Sequence, residues 1–154
     1  MKEGVVLDLD AEGVTATTPE VKAPARYLFR EGQRVLLLED RDDFRQVLHE
    51  YLVSRSFKVT SVPSGVEGLR EIMKDPFDLI ICDMMMPKLG GENFYWAVTR
   101  ARPASAHRFI FFTGHQNDPR LKFFFARVKA TVLFKPFHLD ALDSAILEVA
   151  RKVG

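Results

Sequence analysis

The chain has 154 residues, 47% of them apolar and 28% charged, with a formal net charge of +1; this is the balance of one globular domain with a sizeable core. Near-neutrality supplies no bulk field for nucleic acid or an anionic membrane, and no apolar run approaches the roughly 20 residues that span a bilayer. Acids occupy the place of a signal peptide's apolar stretch, and the single Cys82 excludes an internal disulfide, so the expectation is a cytoplasmic protein with Cys82 as a small buried side chain.

Residues 1–33 read as an N-terminal arm. VVLDLD and VTAT flank DAEG, which suits either a β-hairpin or an extended segment, and the proline-containing TTPEVKAPARY follows. Residues 34–154 form a second unit in which strand-length apolar runs alternate with helical periodicity. RVLLLE (34–39) is the first strand. DDFRQVLHEYLVSR places Phe44, Val47, Leu48, Tyr51 and Leu52 on one helical face, with Asp42 positioned to cap it. FKVTSV (57–62) is a second strand, and SGVEGLREIMKD a second helix opened by Ser64. FDLIICD is a third strand, and GENFYWAVTRA carries Phe94, Ala97, Val98 and Ala101 on one stripe. RFIFFTG is a fourth strand. Asp118-Pro119 opens a fourth helix as cap and first-turn proline. That helix holds Phe123, Phe124 and Phe125 in a row, so at least one must be partly exposed. TVLF is a fifth strand, and Leu142, Ala145, Ile146 and Val149 make the last helix amphipathic.

Five such strands separated by helices, the central ones apolar on both faces, predict an α/β fold with a parallel sheet covered on both sides. Sheets of this kind bind ligands beyond the carboxyl ends of their strands. At those ends stand Glu39-Asp40, Asp83, Thr113-Gly114 and Lys135-Pro136. Three clustered carboxylates repel one another unless a cation relieves them, and Mg²⁺ prefers such oxygen ligands. An ammonium and a hydroxyl beside them describe a pocket for a metal-held phosphoryl group, with a carboxylate as nucleophile. Met84, Met85 and Met86 lack the further soft ligands of a soft-metal site. Met86 is expected to be packing, and Met84 loop surface.

Four segments in this order, VLLLED, DLIICDMMMPKLGG, FIFFTGH and VLFKPF, give the chain its resemblance to the receiver domains of two-component response regulators. The resemblance covers residues 34–152 and implies a flavodoxin-like, doubly wound sheet in strand order 2-1-3-4-5. It implies that Asp83 is the phosphoacceptor, with Thr113 and Lys135 serving the phosphoryl group. Mg²⁺ would be held by Asp40, Asp83 and the Met85 carbonyl, with Glu39 acting mainly through water, and a cis Lys135-Pro136 bond would set the lysine. His115 and Met85 would tune dephosphorylation.

The implied role is a non-enzymatic signalling module, phosphorylated by a sensor histidine kinase or phosphotransfer protein. It would act on an unknown downstream protein, with no nucleic-acid or membrane partner. The face made by the fourth helix, fifth strand and last helix is the candidate partner surface; a homodimer through this face or through the arm is left open. Two departures stand out: Val132 occupies the place of a common Tyr or Phe switch residue, with Phe134 on the same strand face, and Val128-Lys129-Ala130 lacks a usual glycine. A receiver-like binding module that works without phosphorylation is an alternative. So is an Asp-nucleophile phosphatase built on Asp8 in VVLDLDAEGVT, although Glu12 stands where that motif needs Thr or Val.

Overall fold

The computed structural model describes Val6–Leu7 and residues 32–153. In chain order the elements are β1 (Val6–Leu7), β2 (Arg34–Leu38), α1 (Asp42–Ser54), β3 (Lys58–Val62), α2 (Gly65–Lys74) and β4 (Leu79–Asp83). Then come α3 (Gly91–Ala101), a 3-10 turn (Pro103–His107), β5 (Phe109–Thr113), α4 (Pro119–Val128), β6 (Thr131–Phe134), β7 (Phe137–His138) and α5 (Leu139–Val153). Strands β3-β2-β4-β5-β6 form one sheet, every pair parallel. Counted from Arg34, that is the expected order 2-1-3-4-5.

The strands' period of two divides the core into two layers. Val35, Leu37, Leu79, Ile81, Ile110 and Phe112 face one way, into a cluster completed by α1 and α5. Leu36, Leu38, Ile80, Cys82, Phe109 and Phe111 face the other, against α2, α3 and α4. Every residue of β4 and β5 is buried, as a central strand covered on both faces requires. Cys82 is fully buried, and burial, followed by the nearby Asp83 and Glu39, pushes its thiol pKa well up, so it is an inert packing group.

Two helix starts follow the sequence signals. Ser64 caps α2 by accepting from the Glu67 N–H at 3.3 Å, and Asp118 caps α4 by accepting from the Arg120 N–H at 2.9 Å. The first helix differs. Its N-cap is Arg41, which makes no side-chain cap bond, and Asp42 is already helical. The Asp42 carboxylate pairs with Arg45 one turn on, and both first-turn acids sit favourably in the helix dipole.

In α3 the buried positions are Phe94, Tyr95 and Val98, whereas Ala101 is exposed. Tyr95 turns inward because its ring meets Phe109, Phe111 and Phe124 edge-on at centroid distances of 4.9–5.8 Å. Met84 also departs from its expected place on the loop surface and is 4% exposed. Gly91 makes this burial feasible: a Cβ there would stand 2.7 Å from Met84 Sδ and 2.9 Å from Met84 Cα. The turn itself is made by Lys88 at φ 69°, with Gly90 in extended geometry as the N-cap of α3.

The missing glycine before β6 has a visible consequence. Lys129 closes α4 in the left-handed region at φ 53°, a conformation that costs a side-chain-bearing residue energy. Lys129→Gly is expected to stabilise the fold by about 0.5–1 kcal/mol, measured as a higher urea midpoint at constant m.

β1 pairs antiparallel with β7, Val6 opposite His138 and Leu7 opposite Phe137. The DAEG hairpin and Asp8 lie outside the described residues.

Candidate phosphoryl and metal site

Because all five strands run the same way, their carboxyl ends share one rim. Glu39 follows β2, Asp83 ends β4, Thr113 ends β5 and Lys135 follows β6. Glu39, Asp83 and Lys135 meet in a cleft of about 290 Å³ whose lining also includes Asp40, Met85 and His115. Thr113, fully buried, lies just beneath it: its Oγ1 accepts from the His115 N–H at 3.1 Å, and its carbonyl from the Lys135 N–H at 2.9 Å.

Asp83 is 3% exposed. Its Oδ1 accepts from the Met85 N–H at 3.1 Å, and its Oδ2 stands 3.3 Å from Lys135 Nζ. This is the pairing that an acid at the end of an apolar strand requires. The lysine is itself held in place. Its peptide bond to Pro136 is cis, and its ammonium lies 4.9 Å from the Phe112 ring centroid and 5.6 Å from that of Phe44.

Glu39 is fully buried, and neither carboxylate oxygen has a hydrogen-bond partner. Lys135 Nζ approaches only to 3.9 Å. Burial first, then the adjacent Asp83 carboxyl, raise the Glu39 pKa from its ordinary 4.5 to about 9; Lys135 opposes this and Asp40 adds to it. Glu39, Asp40 and Asp83 each place an oxygen within 4.8 Å of the others. An all-oxygen donor set, two of whose atoms are buried and unpartnered, fits a hard divalent cation.

The raised pKa has a testable sign. Between pH 4.5 and about 9 the metal-free native state binds a proton that the unfolded chain has released. Its stability therefore falls as pH rises through that window. In EDTA, urea midpoints should decline from pH 5 to pH 8.5, and Glu39→Gln should flatten the decline.

Gly114 lines the cleft as its place at a strand end implies, whereas sequence reasoning overlooked Arg41, which also lines it and directly follows Asp40. It also missed Phe44 and Phe112 beneath the lysine; the alternation of β5 signals the inward ring of Phe112. Arg45 donates to the Glu39 carbonyl at 2.8 Å, tying the acidic turn to α1.

Residues 35–147 match the profile of the response regulator receiver domain. This chain belongs to that family. The receiver domain is 33% identical over 118 residues to the probable chemotaxis protein CheY of Rhizobium etli, covering 75% of this chain and 91% of that protein. It is 33% identical over 121 residues to the sensor kinase CckA of Brucella abortus, spanning 77% of this chain but only 12% of the kinase. Against the transcriptional regulatory protein RprY of Bacteroides fragilis it spans 51% of that protein's length at 29% identity. Among solved structures, chemotaxis protein CheY4 of Vibrio cholerae superposes with a TM-score of 0.69 at 28% identity, covering 77% of this chain and 98% of that one. The receiver domain thus has relatives that are separate small proteins and relatives in which it is one part. Among the described residues no helix is long and apolar enough to cross a membrane.

Proposed function

We propose that Asp83 accepts a phosphoryl group, with Mg²⁺ held by Asp40, Asp83, the Met85 carbonyl and, mainly through water, Glu39. The donor is a sensor histidine kinase or a phosphotransfer protein, and the phosphorylated domain signals by protein–protein contact. The observation that carries this reading is the Lys135 ammonium 3.3 Å from Asp83 Oδ2, inside a cleft where three carboxylates converge.

An Asp83 oxygen attacks phosphorus and forms the acyl phosphate's P–O bond. The P–N bond of the donor phosphohistidine breaks, and its electron pair returns to the imidazole nitrogen, which takes a proton from solvent. Lys135 offsets negative charge on the transferred group, and the Thr113 hydroxyl donates to another of its oxygens. Bound Mg²⁺ supplies the positive charge that lets the carboxylates and the phosphoryl oxygens share one site. Phosphorylation then shifts a pre-existing two-state equilibrium. Val132 is half-buried and Phe134 is 37% exposed, so an aromatic switch would have to work through Phe134.

His115 is exposed at the cleft beside Met85, which is 53% exposed. In this reading both govern water access to the acyl phosphate. His115→Ala is expected to change the phosphorylated form's half-life by about threefold or more, read as decay of label after donor removal; an unchanged half-life would remove His115 from this role. The reading as a whole is tested by incubating the chain with a small acyl-phosphate donor. Incorporation should require Mg²⁺ and disappear in EDTA, and no incorporation under either condition would sink it.

A further inference from the structure

Strand β1 lies outside the five-stranded sheet and pairs with β7, Val6 opposite His138 and Leu7 opposite Phe137. Among the described residues β7 has no other strand partner. Phe137 is the second residue after Lys135, whose ammonium faces Asp83 Oδ2 at 3.3 Å. A strand added at this point acts on the backbone that presents the lysine.

The short segment between β6 and α5 is held at both ends. The Lys135 N–H donates to the Thr113 carbonyl at 2.9 Å, and Leu139, the first residue of α5, is buried. Between these anchors β7 needs a partner for its outward peptide groups, and β1 supplies it. Phe137 carries the restraint inward. It is 6% exposed, and its ring meets those of Phe44 and Phe112 edge-on at centroid distances of 6.2 and 6.3 Å. These are the same two rings against which the Lys135 ammonium lies. Backbone and ring packing both lead from β1 to one cation.

We propose that β1 is a positioning strand for phosphoryl transfer: docked on β7, it fixes residues 135–138 so that Lys135 meets the incoming group. Its release slows uptake at Asp83. An ammonium on a flexible four-carbon stem contributes most when it is held in place before the donor arrives. The occupant of β7 is this chain's own Val6–Leu7, the segment seated there. The inference rests on the phosphoryl-transfer reading and adds to it an element outside the five-stranded sheet.

The test compares full chains by their rate of label uptake from a small acyl-phosphate donor, with donor and Mg²⁺ saturating. Proline has no N–H to give a ladder, so Val6→Pro with Leu7→Pro should slow uptake by at least about threefold. Its urea transition should stay cooperative, because β1 is not part of the five-stranded sheet. Val6→Ile with Leu7→Ile keeps the N–H groups and the strand preference, and should match the wild type. In the slow residual uptake of Lys135→Ala the proline pair should make no further difference, because its effect passes through the lysine. Facing residues of an antiparallel ladder suit a disulfide. Val6→Cys with His138→Cys should therefore close one within a single chain and take up label at least as fast as the wild type; the buried Cys82 does not compete. The proposal is overturned by equal uptake in the proline pair and the wild type, by an undiminished proline effect in Lys135→Ala, or by a disulfide that forms only between two chains. No uptake by the wild type would sink the phosphoryl-transfer reading as well, so the two failures are distinguishable.

Discussion

Asp83→Asn is expected to reduce Mg²⁺-dependent phosphoryl uptake to background, a loss of at least about a hundredfold. The amide keeps the volume and an oxygen for the Met85 N–H now at 3.1 Å, so the loop after β4 should hold its shape. What disappears is the anionic nucleophile and one of three carboxylates in the cluster. The same substitution has a second expected effect, on the pH dependence of stability. Asp83 is the neighbour that most raises the Glu39 pKa after burial itself. Removing its charge lowers the Glu39 pKa, so Asp83→Asn should make the fall of the EDTA urea midpoint between pH 5 and pH 8.5 shallower while abolishing uptake. Loss of uptake with an unchanged pH slope would remove Asp83 as a source of the Glu39 shift.

A comparable loss, in stability, is expected from Asp143→Ala. Asp143 on α5 accepts from the Tyr51 hydroxyl at 2.6 Å and from Arg55 Nη2 at 2.8 Å. Arg55 also donates to the Tyr51 oxygen from Nε and Nη2, at 3.1 and 2.9 Å. The Arg55 and Asp143 side chains are only 7% and 11% exposed. Burial, then the bond to Asp143, drive the Tyr51 pKa upward, so the phenol stays protonated as donor. Truncating Asp143 removes the carboxylate that faces the buried Arg55 guanidinium and the Tyr51 hydroxyl, and should cost about 3–5 kcal/mol in urea unfolding. The double change Arg55→Met with Asp143→Leu should recover much of that, because it removes both desolvated charges. If Asp143→Ala alone costs less than about 1 kcal/mol, the network does not join α1 to α5 in solution.

The fold was legible because two periods recur without interruption. Alternation in RVLLL, LIICD and FIFFT sorts residues between two core layers, and 3.6-residue stripes on α1 and α5 supply one of them. The site was legible for a related reason: in a parallel sheet, residues that end strands converge regardless of their separation in sequence. What local pattern could not show is what depends on a distant partner. Asp143 and Arg55 are 88 residues apart, and each alone resembles a solvated surface charge. Met84 reads as loop because nothing local announces that Gly91 leaves room for its sulfur. Lys88 and Lys129 adopt left-handed backbone without glycine or asparagine to signal it. Asp42 was misplaced by one residue because helix dipole and cap favour the same residue type at adjacent positions. The β1–β7 pairing joins segments 132 residues apart in the Val6–His138 register, which no hydrophobic period encodes.

The central claim is that one carboxylate, Asp83, carries the phosphoryl group. Borohydride reduces an acyl phosphate on aspartate to homoserine, so the wild-type chain should be treated with a small acyl-phosphate donor and Mg²⁺, reduced, digested and sequenced by mass spectrometry. Homoserine is expected at position 83 and nowhere else. Homoserine at position 8, or none at any aspartate, would contradict it.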